Sequence, residues 1–248
     1  MNETIQTQLN HRTIRAFKDQ ALTKEEVDLL VEVAQRASTS MYLQAYSIIS
    51  VTDPELKKEL AAVSGQSYVA TSGHLFVFVV DRRRNTEIAK ALGQEVGVQG
   101  SADRFVSGLT DAVIAAQNVV VAAESLGLGT TYLGSIIGDV RRVIRALRLP
   151  TRTYPILGLL VGHPAQDPQY KPRLPREIVV GTDAYPQFEE HADAVAVYDA
   201  EVEQYYDLRD TSRRVDSFSA QIARTLGQGA ASQAPVMEVL HEQLLCLS

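Results

Sequence analysis

The chain has no tryptophan, one cysteine, and aromatic side chains at only 6% of its 248 positions. With Cys246 alone there is no internal disulfide, which points to a reducing, cytoplasmic setting. Scarce aromatics and a formal net charge of −6 argue against a base-stacking or phosphate-tracking nucleic-acid surface. The sequence does not open on the apolar run of a signal peptide, and no segment reads as long and apolar enough to cross a bilayer. The compact catalytic signatures are missing too: there is no CxxC pair, HExxH, GxSxG or GxxxxGK[ST]. The histidines (His11, His74, His163, His191, His241) lack ligand spacing, so no metal site is expected.

What remains is two short basic clusters in an acidic chain: His11-Arg12-Thr13-Ile14-Arg15 and Lys171-Pro172-Arg173-Leu174-Pro175. They are either solvated surface charge or a grip on an anion such as phosphate. Arginine suits the second role because its planar fork makes paired, charge-assisted hydrogen bonds.

The patterning predicts a short helix over 2–9 and a helix over 24–37, with Thr23 as N-cap and Glu26 closing a capping box. Ser38-Thr39-Ser40 ends it. Asp53-Pro54 opens a helix to about Val63, cap and first-turn proline in order. Tyr46–Val51, Leu75–Val80, Thr130–Leu133 and Tyr154–Val161 read as strands. The stretch 83–103 reads as polar and partly helical. The longest helix spans 104–126, with small apolar residues nearly all round, suited to a close neighbour or a partner chain. A basic helix covers 138–148. A loop over 163–186 holds five of the nine prolines, and a helical extension begins at about 187. Helices outnumbering a few strands predict an α+β fold over one domain, 1–248. The run Gly127-Leu128-Gly129-Thr130-Thr131 follows a helix and precedes a strand, the reverse of a dinucleotide-binding turn. It is a helix stop plus turn, or else it presents the backbone N–H groups of 132–135 to a ligand. With no nucleophile, base pair or metal in evidence, a bound cofactor would have to carry any chemistry.

The stretches HRTIRAF at 11–17, ASTSMYLQAYSII at 37–49, SGQSYV at 64–69, AAQNVVVAAESLGLGTTYLG at 115–134, PILGLLVGHPA at 155–165 and KPRLP at 171–175 occur in an order that resembles the flavin-dependent nitroreductase family. Within it the chain is most similar to the branch of oxygen-insensitive NADPH nitroreductases and NADPH–flavin oxidoreductases.

The resemblance implies a central mixed β-sheet wrapped by helices, and an intertwined homodimer with FMN at the subunit interface. It implies ping-pong hydride transfer from NADPH through FMN N5 to nitroaromatics, quinones or free flavins. His11, Arg12, Lys171 and Arg173 match phosphate-proximal positions, and Thr13 matches a hydroxyl ligand that is often Ser. Arg15 matches a basic residue at the pyrimidine edge, where it would support the negative charge of reduction without acting as a classical acid or base. Gln66 matches an amide on the pyrimidine ring, and Ser38, Thr39 and Ser40 a polar stretch offered by the other subunit. The backbone of Tyr132, Leu133, Gly134 and Ser135 would lie near N5. Arg209 and Arg213 would read the 2′-phosphate of NADPH. Ser135, Ile137 and Met41 depart from the family pattern: Ile137 stands where relatives often carry a cation, and Met41 where Ser is common. Alternatives are a specialised quinone, azo or metal-oxyanion reductase, and a flavin-binding protein with little turnover.

Overall fold

The run His74–Asp81 (β2), HLFVFVVD, is buried at every position, as expected of a strand covered on both faces. It lies inside a sheet with β1 (Tyr46–Val51), β3 (Gly129–Leu133) and β4 (Thr153–Gly162), in the order β1-β2-β4-β3. The computed structural model describes residues 1–97, 100–187, 189, 191–209, 216–227 and 235–248, with nothing described for the side chains of 206–209.

The α+β class expected from the sequence is present. The mixed sheet is not: all neighbouring strands among the described residues pair antiparallel, and the parallel pairing is confined to an isolated bridge, Thr13 to Thr130. Strand direction depends on connections that residue patterning does not encode.

The chain divides into two compact units, 1–167 with 234–248, and 168–233. In the first unit, α2 (Lys24–Gln35) and α6 (Ala102–Ser125) cover one sheet face. Phe76, Phe78, Leu159 and Val161 pack there against Leu30, Ala112, Ala116 and Val120. The other face, with Leu75, Val77, Val79 and Leu160, is covered by α3 (Pro54–Ser64), α4 (Tyr68–Thr71), α7 (Val140–Ala146) and the 3-10 turn Gly134–Ile137. The two-residue alternation of β2 thus feeds two cores. The predicted capping box is present: Thr23 Oγ1 accepts from the Glu26 N–H at 3.1 Å, and Glu26 Oε2 accepts from the Thr23 N–H at 2.7 Å. Two segments end as helices of their own: α1 (Glu3–Leu9) at the start and α5 (Arg83–Ala91) in the polar stretch.

By length and composition α6 is apolar enough to cross a membrane, contrary to the sequence expectation. Its apolarity is spread over many small residues, and Ala112, Ala115, Ala116 and Ala123 are fully buried against the sheet. At the other end, Val239 and Leu240 of α11 (Val236–Glu242), with Leu245 just beyond it, pack against Val140 and Tyr154. Arg141 reinforces it, donating to Glu242 Oε2 at 3.0 Å.

The second unit holds α8 (Arg176–Val179), which interrupts the expected loop, then α9 (Ala192–Arg209) and α10 (Phe218–Gly227). Tyr198 meets Phe218 edge-on at 5.3 Å, and Asp199 Oδ1 accepts from the Ser219 N–H at 2.9 Å.

His74 at the start of β2 is 7% exposed, with its ring 4.4 Å from that of Phe76 and Nε2 2.8 Å from Ser50 Oγ. Burial, with the nearby Lys57 charge, lowers its pKa to about 4. The folded state therefore resists a proton that the unfolded state accepts. The stability present above pH ~6.5 falls as pH drops towards about 4, by about 3 kcal/mol at full protonation. Urea unfolding of wild type and His74→Gln at neutral and acid pH should show that share of the loss only in wild type.

Candidate functional site

The first basic cluster is fixed by backbone pairing onto β3, an edge strand of the sheet. Thr13 bridges Thr130, the Ile14 N–H donates to the Thr130 carbonyl at 2.9 Å, and the Thr131 hydroxyl donates to the Ile14 carbonyl. Further along, Phe17 bridges Pro164, and the Lys18 N–H donates to the His163 carbonyl at 2.8 Å. Ile14 is buried and seats over Gly129, where a Cβ would come within 2.6 Å of its Cγ1. The alternation of an extended segment then leaves Arg15 exposed.

Glu124, near the end of α6, organises this corner. One oxygen, Oε1, accepts from His11 Nδ1–H at 2.7 Å and from the Thr130 hydroxyl at 2.8 Å. Arg12 forms an ion pair with the exposed Asp167. Arg15 makes no hydrogen bond or ion pair among the described residues. Tyr132 donates its hydroxyl to Gln117 Oε1 at 3.0 Å. Burial, then the Glu124 charge, pushes its pKa up to about 12, so it stays a neutral donor.

Beyond Tyr132 the chain enters the 3-10 turn. Leu133 and Ile136 are buried, whereas Gly134 and Ser135 are exposed. A Cβ on Gly134 would meet nothing within 4 Å, so the backbone there is open. Ile137 packs against the core cluster of Leu60, Val69, Leu133 and Ile136. Its departure from the family pattern thus has a packing role. Gln66 follows Gly65, whose φ of 66° ends α3, and its N–H donates to the Ala61 carbonyl at 3.2 Å. This bend adjoins the same core cluster, through Val63 and Tyr68.

Ser38, Thr39 and Ser40 lie elsewhere. The Ser40 N–H donates to Asp111 Oδ1 at 2.8 Å, also on α6. Asp111 and Glu124 are thirteen positions apart on one helix, which at 1.5 Å per residue is about 20 Å. The carboxylates that hold Ser40 and His11 thus stand about 20 Å apart along α6.

In the second unit, Lys171 and Arg173 are exposed, and Arg173 Nη1 donates to the carbonyls of Lys171 at 2.8 Å and Pro172 at 3.2 Å. Arg213 and the side chain of Arg209 lie outside the described residues.

Sequence reading missed Glu124, Asp111, Asp167 and Thr131. Two of them carried a signal, since Asp111 and Glu124 are charges on the most apolar helix of the chain. Chemically, the His11–Arg15 corner sets imidazole and guanidinium groups beside the Tyr132–Ser135 backbone, a donor set suited to an anion.

Two family models match. "Nitroreductase family" covers residues 9–163, and "Nitroreductase family, C-terminal domain" covers 171–248. A Bacillus subtilis protein named "FMN reductase (NADPH)" is 43% identical over 231 residues, 92% of this chain and 93% of that one. A Staphylococcus haemolyticus "NADPH-dependent oxidoreductase" is 44% identical over 217 residues, 86% of each. The solved NfrA1 nitroreductase of B. subtilis superimposes with a TM-score of 0.93 at 40% identity, covering 99% of this chain and 100% of that one. With both family models matched and such relatives aligned over nearly its whole length, the chain belongs to the nitroreductase family.

Proposed function

We propose that this chain is an FMN-dependent oxidoreductase that takes hydride from NADPH and passes two electrons to small acceptors: nitroaromatics, quinones or free flavins. The observation that carries the reading is the basic segment His11–Arg15 held by backbone pairing beside the open Tyr132–Ser135 backbone. It occurs in a chain whose relatives are named FMN reductase (NADPH) and NADPH-dependent oxidoreductase. The donor set fits FMN: guanidinium and imidazole groups suit its phosphate, and the space over Gly134 suits its flat ring.

When bound, FMN supplies the two-electron chemistry that side chains lack. The protein's residues bind and orient. His11 and Arg12 would hold the phosphate, with Thr13 adding a hydroxyl, and the family resemblance gives Lys171 and Arg173 the same task. Arg12 gives up little in leaving Asp167, because an exposed ion pair is worth at most about 1 kcal/mol. Gln66 hydrogen-bonds the pyrimidine edge, and Arg15 steadies the negative charge that grows there on reduction. The backbone of Tyr132, Leu133, Gly134 and Ser135 lines the reacting face. No side chain needs to act as a general acid or base.

The working form is a homodimer in the cytoplasm, each subunit lending Ser38, Thr39 and Ser40 to the flavin of the other. The span of about 20 Å between Asp111 and Glu124 supports this sharing, as do Val106, Val113 and Ile114 of α6, which remain 39–55% exposed in the single chain. The single cysteine supports the compartment.

Arg209 and Arg213 read the 2′-phosphate of NADPH. Arg209→Ala is expected to raise KM for NADPH about tenfold or more, a charged hydrogen bond's worth, and to leave KM for NADH unchanged. Steady-state kinetics with both donors check this, and equal effects on the two would remove the assignment.

A further inference from the structure

The segment after Ser40 adopts a backbone that its residues disfavour. Met41, Tyr42 and Gln44 have φ of 53°, 57° and 48°, the left-handed region, and none is glycine. Such a conformation persists only when its surroundings over-determine it. Here side chains from two helices do so. Asp111 of α6, 1% exposed, accepts from the Ser40 N–H at 2.8 Å with one oxygen and from the Ala45 N–H at 3.0 Å with the other. From α5, Asn85 Nδ2 donates to the Leu43 carbonyl at 2.9 Å, and Arg84 donates to the carbonyls of Gln44 and, at 3.2 Å, Tyr46. The Asp81 N–H donates to the Ala45 carbonyl at 2.9 Å. Gly108 lets α6 approach, since a Cβ there would lie 2.9 Å from the Ala45 carbonyl oxygen. A buried carboxylate spanning both ends of a bent loop fixes where the loop begins, and it begins at Ser40.

We propose that Asp111, assisted by Asn85 and Arg84, is a positioning residue that sets Ser38–Ser40 in place for the flavin. This rests on the FMN reading above. Asp111 touches no ligand itself. It turns a loop that would sample many conformations into one whose start at Ser40 is already fixed, so that little ordering entropy is lost on binding.

The test compares full-length wild type, Asp111→Asn and Asn85→Ala, stripped of flavin and titrated with FMN and with riboflavin, alongside hydrogen exchange at the Ser40 and Ala45 amides. Asp111→Asn keeps the side-chain shape but turns an amide N–H₂ towards one of the two backbone donors. It is expected to weaken FMN and riboflavin alike by about tenfold, the loss of one hydrogen bond to a charged group. Their ratio stays constant and both amides exchange faster. Asn85→Ala shifts both affinities the same way by a smaller factor. Freed amides with unchanged flavin affinity would overturn the proposal, and so would a loss confined to FMN, which would place the effect at the phosphate. If Asp111→Asn does not fold, Asn85→Ala decides, with unchanged riboflavin affinity counting against the proposal. Failure of wild type to bind either flavin would instead bring down the FMN reading itself.

Discussion

Gly129→Ala is expected to lower both stability and FMN affinity. The new methyl carbon would sit 2.6, 2.8 and 2.9 Å from Cγ1, Cβ and Cγ2 of Ile14, well inside contact distance. Ile14 cannot swing aside: it is β-branched, buried, and tied through its N–H and carbonyl to Thr130 and Thr131. The segment must therefore lift from β3, at an overpacking cost of about 1 to 3 kcal/mol. Arg12, Thr13 and Arg15 move with it, so FMN affinity falls by about tenfold or more, the scale of one charged hydrogen bond lost. Gly134→Ala is the contrast. Its methyl group meets nothing within 4 Å, so the melting temperature stays near wild type while flavin affinity drops. Thermal melts and fluorescence titrations on both variants check the pair. Wild-type affinity in Gly129→Ala would separate the seating of this segment from flavin binding.

Arg15→Ala is expected to act on the flavin alone. The side chain is exposed and makes no hydrogen bond or ion pair among the described residues, so its removal should change stability by no more than about 0.5 kcal/mol. Its proposed task is to stabilise charge at the pyrimidine edge on reduction, an electrostatic contribution of the size lost when an oxyanion donor is removed. Flavin reduction by NADPH should slow by about 100-fold, with Arg15→Lys falling between, because lysine keeps the charge but not the fork. Stopped-flow reduction of the loaded variants measures this. Unchanged affinity and reduction rate in Arg15→Ala would remove the role.

Local signals in the sequence were legible where chemistry is local. The Thr23–Glu26 box, the Asp53-Pro54 start and the β2 run each depend on neighbours within a few residues, and each appears as read. Sheet direction depends on long connections, and it did not follow from patterning. The site divides the same way. Its basic residues and hydroxyls stand in short clusters, visible at once. The carboxylates that organise them are remote in sequence: Glu124 lies 113 positions from His11, Asp111 71 from Ser40, and Asp167 155 from Arg12. Only folding brings these pairs within reach. Ile137 shows the opposite limit: it stands where relatives often carry a cation, and its core packing gives that departure a structural reason.

The central claim is tested most directly by mixing the FMN-loaded protein anaerobically with one equivalent of NADPH, then separately NADH, and following the flavin band near ~450 nm. Rapid bleaching with NADPH and slow bleaching with NADH is the predicted result. Rapid bleaching with both would keep the oxidoreductase and remove the 2′-phosphate role of Arg209 and Arg213. A flavin band unchanged by either donor would contradict the account, leaving a protein that holds FMN without accepting hydride from nicotinamide nucleotides.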